Sequence, residues 1–106
     1  MVEIDDRKIT LGIVSRFIDM IKKDIRVDMA YLYGSYSKGR QRKDSDIDVA
    51  VVSPDFIGDI IEDKIRLMKY RRTIDLRIEP RPFLPDEFNM GNPFAREIIE
   101  TGIPIK

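Results

Sequence analysis

The run Asp46-Ile47-Asp48-Val49-Ala50-Val51-Val52 constrains the fold more than any other part of the chain. Side chains alternate along a strand. Ile47, Val49 and Val51 therefore share one face, and Ala50 and Val52 continue the other beyond Asp48. A strand apolar on both faces belongs in the middle of a sheet that is covered on both sides. The flanking segments offer the cover. Ile9, Ile13, Val14, Phe17, Ile18, Ile21 and Ile25 recur at spacings of three and four, which predicts a helix over 9–25 with Asp5 or Asp6 as its cap. Met29 to Tyr33 reads as a strand stopped by Gly34, and 35–45 as a polar, basic turn or short helix and loop.

Beyond Val52, Ser53-Pro54-Asp55 ends the central strand. Phe56 to Tyr70 reads as a helix with Ile57, Ile60, Ile61, Ile65 and Met68 as its inner stripe. Thr73 to Glu79 reads as a third strand, cut off by Pro80 and Pro82, and Phe83 to Met90 as a connector with a short turn. Asn92 as cap and Pro93 at the first position open a last helix that stops at Gly102, with Pro104 beyond. The order helix, strand, strand, helix, strand, helix predicts one α/β (α+β) domain over residues 1–106, a small mixed β-sheet flanked by helices.

Composition narrows the chemistry. The 106 residues contain neither Cys nor His. Disulfides, thiolate or imidazole metal sites, Cys nucleophiles and His-based acid–base catalysis are excluded. Chemistry here rests on carboxylates, Lys, Arg, hydroxyls or a metal. Lys plus Arg and Asp plus Glu balance at 19 each, so net charge gives no argument for a nucleic-acid or membrane partner. The start lacks a basic region followed by an apolar one, and no apolar run approaches the ~20 residues of a membrane span, so a cytoplasmic protein is expected.

Asp46 and Asp48 stand at i and i+2, on one side of the predicted strand. Their carboxylates are close enough to serve a pair of metal ions ~3.5–4 Å apart. Mg²⁺ suits such a site, since it prefers oxygen ligands and binds through a few carboxylates plus substrate phosphates. An Asp-x-Asp pair alone is a weak signal, common at exposed strand ends. Upstream, Gly34-Ser35 follows a strand on a sharp turn, where backbone N–H groups and a hydroxyl can hold phosphate oxygens. In isolation the same dipeptide is an ordinary strand-to-helix turn. Lys38, Arg40, Arg42 and Lys43 could neutralise a triphosphate or form a solvated charged loop. Asp75 alternates with Ile74 and Leu76. It completes a three-carboxylate site if its strand pairs beside Asp46 and Asp48; otherwise it is part of an exposed face in which Arg77 pairs with a neighbouring acid.

The stretch Leu32-Tyr33-Gly34-Ser35 through Ser45-Asp46-Ile47-Asp48-Val49, with Gly39 inside, resembles the signature of the polymerase-β-like nucleotidyltransferase superfamily. It is similar to that of the minimal nucleotidyltransferases, small prokaryotic domains that often pair with a HEPN-domain protein. The closing Asn92-Pro93-Phe94-Ala95-Arg96-Glu97-Ile98-Ile99-Glu100-Thr101-Gly102 is similar to their C-terminal helix. The resemblance implies that Gly34 and Ser35 position the nucleotide phosphates, with Lys38, Arg40, Arg42 and Ser45 around them. It implies that Asp46, Asp48 and Asp75 form the catalytic metal site for two Mg²⁺ ions. ATP is the expected nucleotide, and the expected acceptor is a tyrosine of a HEPN toxin, with this chain as its antitoxin. The basic spacer and Arg77 depart from the usual pattern.

The implied reaction is in-line attack of a hydroxyl on the α-phosphate with release of pyrophosphate. Larger relatives carry a second, acceptor-binding domain. A chain of this length is expected to find its acceptor on a partner protein or within its own dimer. Three rivals stand beside this reading: an antitoxin that acts by binding alone, a transferase for a small molecule of the aminoglycoside kind, and a nucleic-acid-binding module. The last is weakened by zero net charge and the lack of an aromatic stacking motif.

Overall fold

The computed structural model describes residues 6–36 and 45–105. Its elements are α1 (Asp6–Lys22), β1 (Met29–Tyr33), β2 (Ile47–Val52), α2 (Ile60–Arg71), β3 (Ile78–Phe83), a 3-10 turn (Pro85–Glu87), α3 (Pro93–Thr101) and β4 (Ile103–Pro104). The four strands form one sheet in the order β3-β2-β1-β4. β1 runs antiparallel to β2 and to β4, whereas β2 and β3 are parallel, joined by α2 as the crossover. The expected mixed sheet with flanking helices is present, with β4 as a two-residue addition.

β2 is central, as its apolar faces require. Ile47, Val49 and Val51 pack with Leu32 of β1, with Val14, Phe17, Ile18 and Ile21 of α1 and with Leu67 and Tyr70 of α2. Ala50 and Val52 pack on the other side with Phe83, Phe88 and the α3 residues Ala95 and Ile98. Each large apolar side chain removed from water contributes about 1.5–3 kcal/mol, and both faces of β2 gain it. α1 buries Val14, Phe17, Ile18 and Ile21 of the predicted stripe; Ile13 is partly buried, Ile9 is 51% exposed near the start, and Ile25, also buried, lies beyond the end of the helix at Lys22. α3 matches its signals: the Asn92 side chain accepts from the N–H groups of Phe94 and Ala95, and Gly102 N–H donates to Ile98. Among the described residues no helix is long and apolar enough to cross a membrane.

Two expectations are corrected. On α2 the inner face is Asp63, Leu67 and Tyr70. Ile57, Ile61 and Ile65 point outward, at 71%, 67% and 58% exposed. Two helical stripes compete in this sequence, and a polar contact selects one. Asp63 is buried, and its carboxylate accepts from the backbone N–H of Ile57 at 3.1 Å and of Gly58 at 3.0 Å. Tying the preceding loop to the inner side turns the isoleucines out.

The third strand begins at Ile78 and contains Pro80 and Pro82, which were expected to end it. β3 lies at the sheet edge. Ile47 N–H donates to Arg77 and Ser53 N–H to Phe83, so the odd-numbered residues of β3 bond to β2. The prolines fall on the alternate positions, whose nitrogens face the open edge where a missing N–H costs nothing. Asp75 therefore lies in the turn before β3. Arg77 donates to it from its backbone N–H at 2.9 Å, Nε at 3.1 Å and Nη2 at 2.8 Å. Arg77 Nη1 also donates to the Tyr36 hydroxyl at 3.1 Å, linking this turn to the one after Gly34.

The Arg77 side chain is the largest cause holding the Asp75 carboxyl below its usual range. A depressed carboxylate stabilises the fold above the unfolded value of about 3.9, and that contribution disappears as pH falls through the lower folded value. Asp75→Asn is expected to lower stability by about 1–3 kcal/mol near neutral pH. The gap to the parent should close below about pH 4 in thermal unfolding.

Candidate active site

The register of the sheet brings three polar side chains into one row. Tyr33 of β1 pairs with Asp48 of β2, and Asp48 pairs with Glu79 of β3. All three lie on the α3 side of the sheet, alternating with the residues packed on α1 and α2. Asp46 precedes β2 by one residue and shares the side of Asp48. A pocket of about 310 Å³ opens here, lined by Asp46, Asp48 and Glu79 with Tyr33, Phe94 and the cations Lys64 and Arg81.

Gly34 closes one side of the row. Its φ is +74°, and a Cβ built there would lie 2.3 Å from Asp48 Oδ2. Any side chain would displace the carboxylate, and an L-residue is strained at this backbone angle. Ser35 follows in the same turn, and Ser45 stands immediately before Asp46. Lys38, Arg40, Arg42 and Lys43 lie outside the described residues.

Negative charge is crowded at Asp48. Its carboxyl is pushed up to about 6, first by burial, then by Asp46 and Glu79, with Lys64 opposing. Burial, and next the Asp48 charge, likewise push the Tyr33 phenol up to about 12. Glu79 is better compensated, with Oε2 3.1 Å from Lys64 Nζ and Oε1 3.5 Å from Arg71 Nη1. Arg81 stacks over Phe94 at 4.7 Å and Phe83 at 5.3 Å, and its buried Nε has no hydrogen-bond partner among the described residues.

Of the expected carboxylates, the fold brings Asp46 and Asp48 to the pocket and leaves Asp75 in the turn with Arg77. Glu79 lines the pocket instead. Asp75 and Glu79 have the same parity, so alternation alone could not separate them; the proline positions at 80 and 82 could, as marks of an edge strand. Among the described residues no three acidic side chains converge as a ready metal cluster. The donor set still suits a divalent, oxygen-seeking cation. Asp46 and Asp48 both line the pocket, and the Asp48 carboxyl, pushed up by burial first and by the neighbouring acids second, would be favoured in its ionised form by a bound cation. Lys64 and Arg81 line the same pocket with charge suited to phosphate, and the Gly34 turn lies against Asp48.

Residues 16–106 match the family model described as Polymerase beta, Nucleotidyltransferase. Protein adenylyltransferase MntA of Shewanella oneidensis is 38% identical over 47 residues, which span 43% of this chain and 34% of that protein. The matched segment is thus about a third of that relative. The crystal structure of a "putative nucleotidyltransferase" from Sulfolobus solfataricus superposes with a TM-score of 0.67 at 15% identity, covering 92% of this chain and 80% of the other. A crystal structure of a toxin-antitoxin with AMP-PNP gives 0.64 at 21% identity, covering 91% and 72%. At those identities the structures speak for the fold, and the family model speaks for the rest: with 16–106 matched and the paired aspartates set against a glycine turn, the chain belongs to the polymerase β nucleotidyltransferase family.

Proposed function

We propose that this protein transfers AMP from ATP to a hydroxyl of a partner protein, the acceptor being a tyrosine of a HEPN-domain toxin, and so acts as its antitoxin in the cytoplasm. The observation that carries this reading is the crowding of Asp46, Asp48 and Glu79 beside Gly34, with Asp48 pushed up to about 6. Such a site favours a substrate that arrives as a cation-bound polyphosphate. The relative named as a protein adenylyltransferase and the toxin-antitoxin structure holding AMP-PNP support the choice of nucleotide and acceptor.

Asp46 and Asp48 would hold the divalent cation, two Mg²⁺ ions being expected, and bound cations would neutralise phosphate charge. The chain's own residues do the remainder. At Gly34 in the Gly34–Ser35 turn no Cβ intervenes, so the phosphates can approach the backbone closely beside Asp48. Arg81, fixed by its aromatic neighbours, and Lys64 place positive charge across the pocket. Glu79 takes the place expected for Asp75 and accepts the proton of the acceptor hydroxyl. The hydroxyl oxygen bonds to the α-phosphorus as the bond to the pyrophosphate oxygen breaks, and pyrophosphate leaves. Catalysis here is mainly positioning and charge neutralisation.

The acceptor side of the pocket favours a macromolecule. Ile60 lines the pocket from the start of α2, and the outward Ile57, Ile61 and Ile65 extend from it as an apolar stripe. Large exposed apolar patches mark interaction sites. We assign this stripe to the acceptor protein. Ile61→Glu with Ile65→Glu is expected to abolish co-purification with the toxin and to raise KM for it about tenfold or more. Thermal stability and ATP binding should be unchanged; retention of the complex would remove the stripe from the interface.

Asp48→Asn tests the site itself. A carboxyl raised above its unfolded value is destabilising when ionised: the cost is absent below about pH 4, grows toward pH 6 and is complete above it. The variant is therefore expected to melt higher than the parent at pH 8 and equally at pH 4. Mg²⁺ should raise the parent's Tm and not the variant's. Transfer of AMP, followed by intact mass of the toxin, should be lost while the complex still forms. Residual transfer by the variant would show that Asp48 is not required.

A further inference from the structure

Arg77 takes no part in the transfer chemistry, yet its contacts reach both halves of the site. Its side chain donates to Asp75 from Nε at 3.1 Å and Nη2 at 2.8 Å, and to the Tyr36 hydroxyl from Nη1 at 3.1 Å. Its backbone carbonyl accepts at 2.8 Å from the N–H of Ile47, the residue between Asp46 and Asp48. Tyr36 in turn follows Gly34 and Ser35 directly. We infer that Arg77, locked by Asp75, is a positioning residue. Through Tyr36 it holds the Gly34–Ser35 turn in place against the start of β2, so that the turn and the paired aspartates meet a polyphosphate as one preformed unit. The inference rests on the nucleotidyl-transfer reading and adds to it a residue that acts without touching the substrate.

Topology is the first reason. Tyr33 pairs with Asp48 and Ile47 with Ile78, so the end of β1 and the starts of β2 and β3 share one end of the sheet. The ladder between β1 and β2 stops at the pair Tyr33–Asp48. Ser35 and Tyr36 lie past it, beyond the positive φ of Gly34, and need another anchor. Tyr36 is 3% exposed and belongs to the core cluster of Leu32, Ile47 and Ile78. Its ring is held by that core and its hydroxyl by Arg77. The far end of the brace is fixed as well. The N–H groups of Ile74 and Asp75 donate to the Arg71 carbonyl at 3.0 and 2.9 Å, which ties the turn before β3 to the end of α2.

Chemistry is the second. An ion pair that only shaped the 75–77 turn would need Asp75 alone. Nη1 reaches instead to a buried phenol 41 positions earlier in the chain. A planar guanidinium can bond a carboxylate through one edge and a hydroxyl through its remaining nitrogen, which a lysine ammonium cannot reproduce. A ligand that meets a turn already held in place loses less conformational freedom on binding. Loss of the Tyr36 bond is therefore read in affinity for the polyphosphate.

Hydrogen exchange and calorimetric titration of the full chain, in Mg²⁺ with tripolyphosphate or ATP, test this. Tyr36→Phe keeps the buried ring and the Arg77 charge and removes only the bond. In the free variant the amides of residues 34–36 should exchange faster than in the parent. Tripolyphosphate and ATP should each bind about fivefold more weakly, the worth of one hydrogen bond. KM for ATP should rise by the same factor while KM for the toxin stays as in the parent. Arg77→Lys keeps the charge and should weaken both ligands at least as much. The double variant should bind no more weakly than Arg77→Lys alone, because the two changes break one contact. Parent-like affinity or parent-like exchange in Tyr36→Phe would overturn the inference. So would losses that add in the double variant, or a matching rise in KM for the toxin, which marks general loosening. Should the parent bind neither ATP nor tripolyphosphate, the nucleotidyl-transfer reading fails first and takes this inference with it.

Discussion

The Asp48 carboxylate lies directly against the backbone of Gly34, and much of the molecule is arranged to keep it there. β2 is buried on both faces from Val49 onward, which fixes its depth in the sheet. Antiparallel pairing with β1 then sets Tyr33 beside Asp48, and the next residue must turn away at a positive φ within reach of Oδ2. Only glycine meets both demands. The pocket is therefore a consequence of sheet register: shifting β1 against β2 by one residue would move every side chain of β1 to the opposite face. Tyr33 would leave the row and the glycine would lose its contact.

The same register explains why the site carries unfavourable charge. Parallel pairing with β3 sets Glu79 beside Asp48, while Asp46 stands two residues away on the same side. Burial first, and then the charges of Asp46 and Glu79, disfavour the ionised form of Asp48 and push its carboxyl up to about 6. Lys64 and Arg71 from α2 relieve Glu79 in part. A fold selected for stability alone would put neutral residues here. Functional sites commonly retain such strain because it is released when the ligand arrives.

What could be read from the sequence depended on how many physical signals agreed. α3 was specified three times over, by Asn92 as cap, Pro93 at the first position and Gly102 at the end, and its bounds follow them. β2 was fixed by apolar residues on both faces, and Asp46, Asp48 and Gly34 with it. α2 was ambiguous because Ile57, Ile61 and Ile65 form as good a stripe as Leu67 and Tyr70, and hydrophobicity prefers the isoleucines. The decision came from a buried carboxylate, Asp63, bonding to two backbone N–H groups, which periodicity does not register. β3 was misplaced because proline was read as a terminator. On an edge strand its position relative to the partner decides, and that is known only once the sheet order is known. The start of the strand moved with that single error, which leaves Asp75 in the preceding turn and puts Glu79 in the pocket lining.

The two flanks of β2 differ in chemistry. β1 and α3 present the glycine turn and a cleft lined by Phe94 and Ile98. β3 and α2 present Glu79, Lys64 and the outward isoleucines. Asp48 stands on the strand between them. An in-line displacement needs its nucleophile and leaving group on opposite sides of the phosphorus, so under the proposed reaction the two substrates would approach from opposite flanks of the central strand. The proposal also gives the exposed isoleucines a use. Had α2 turned those side chains inward, the flank assigned to the acceptor would lack that apolar surface.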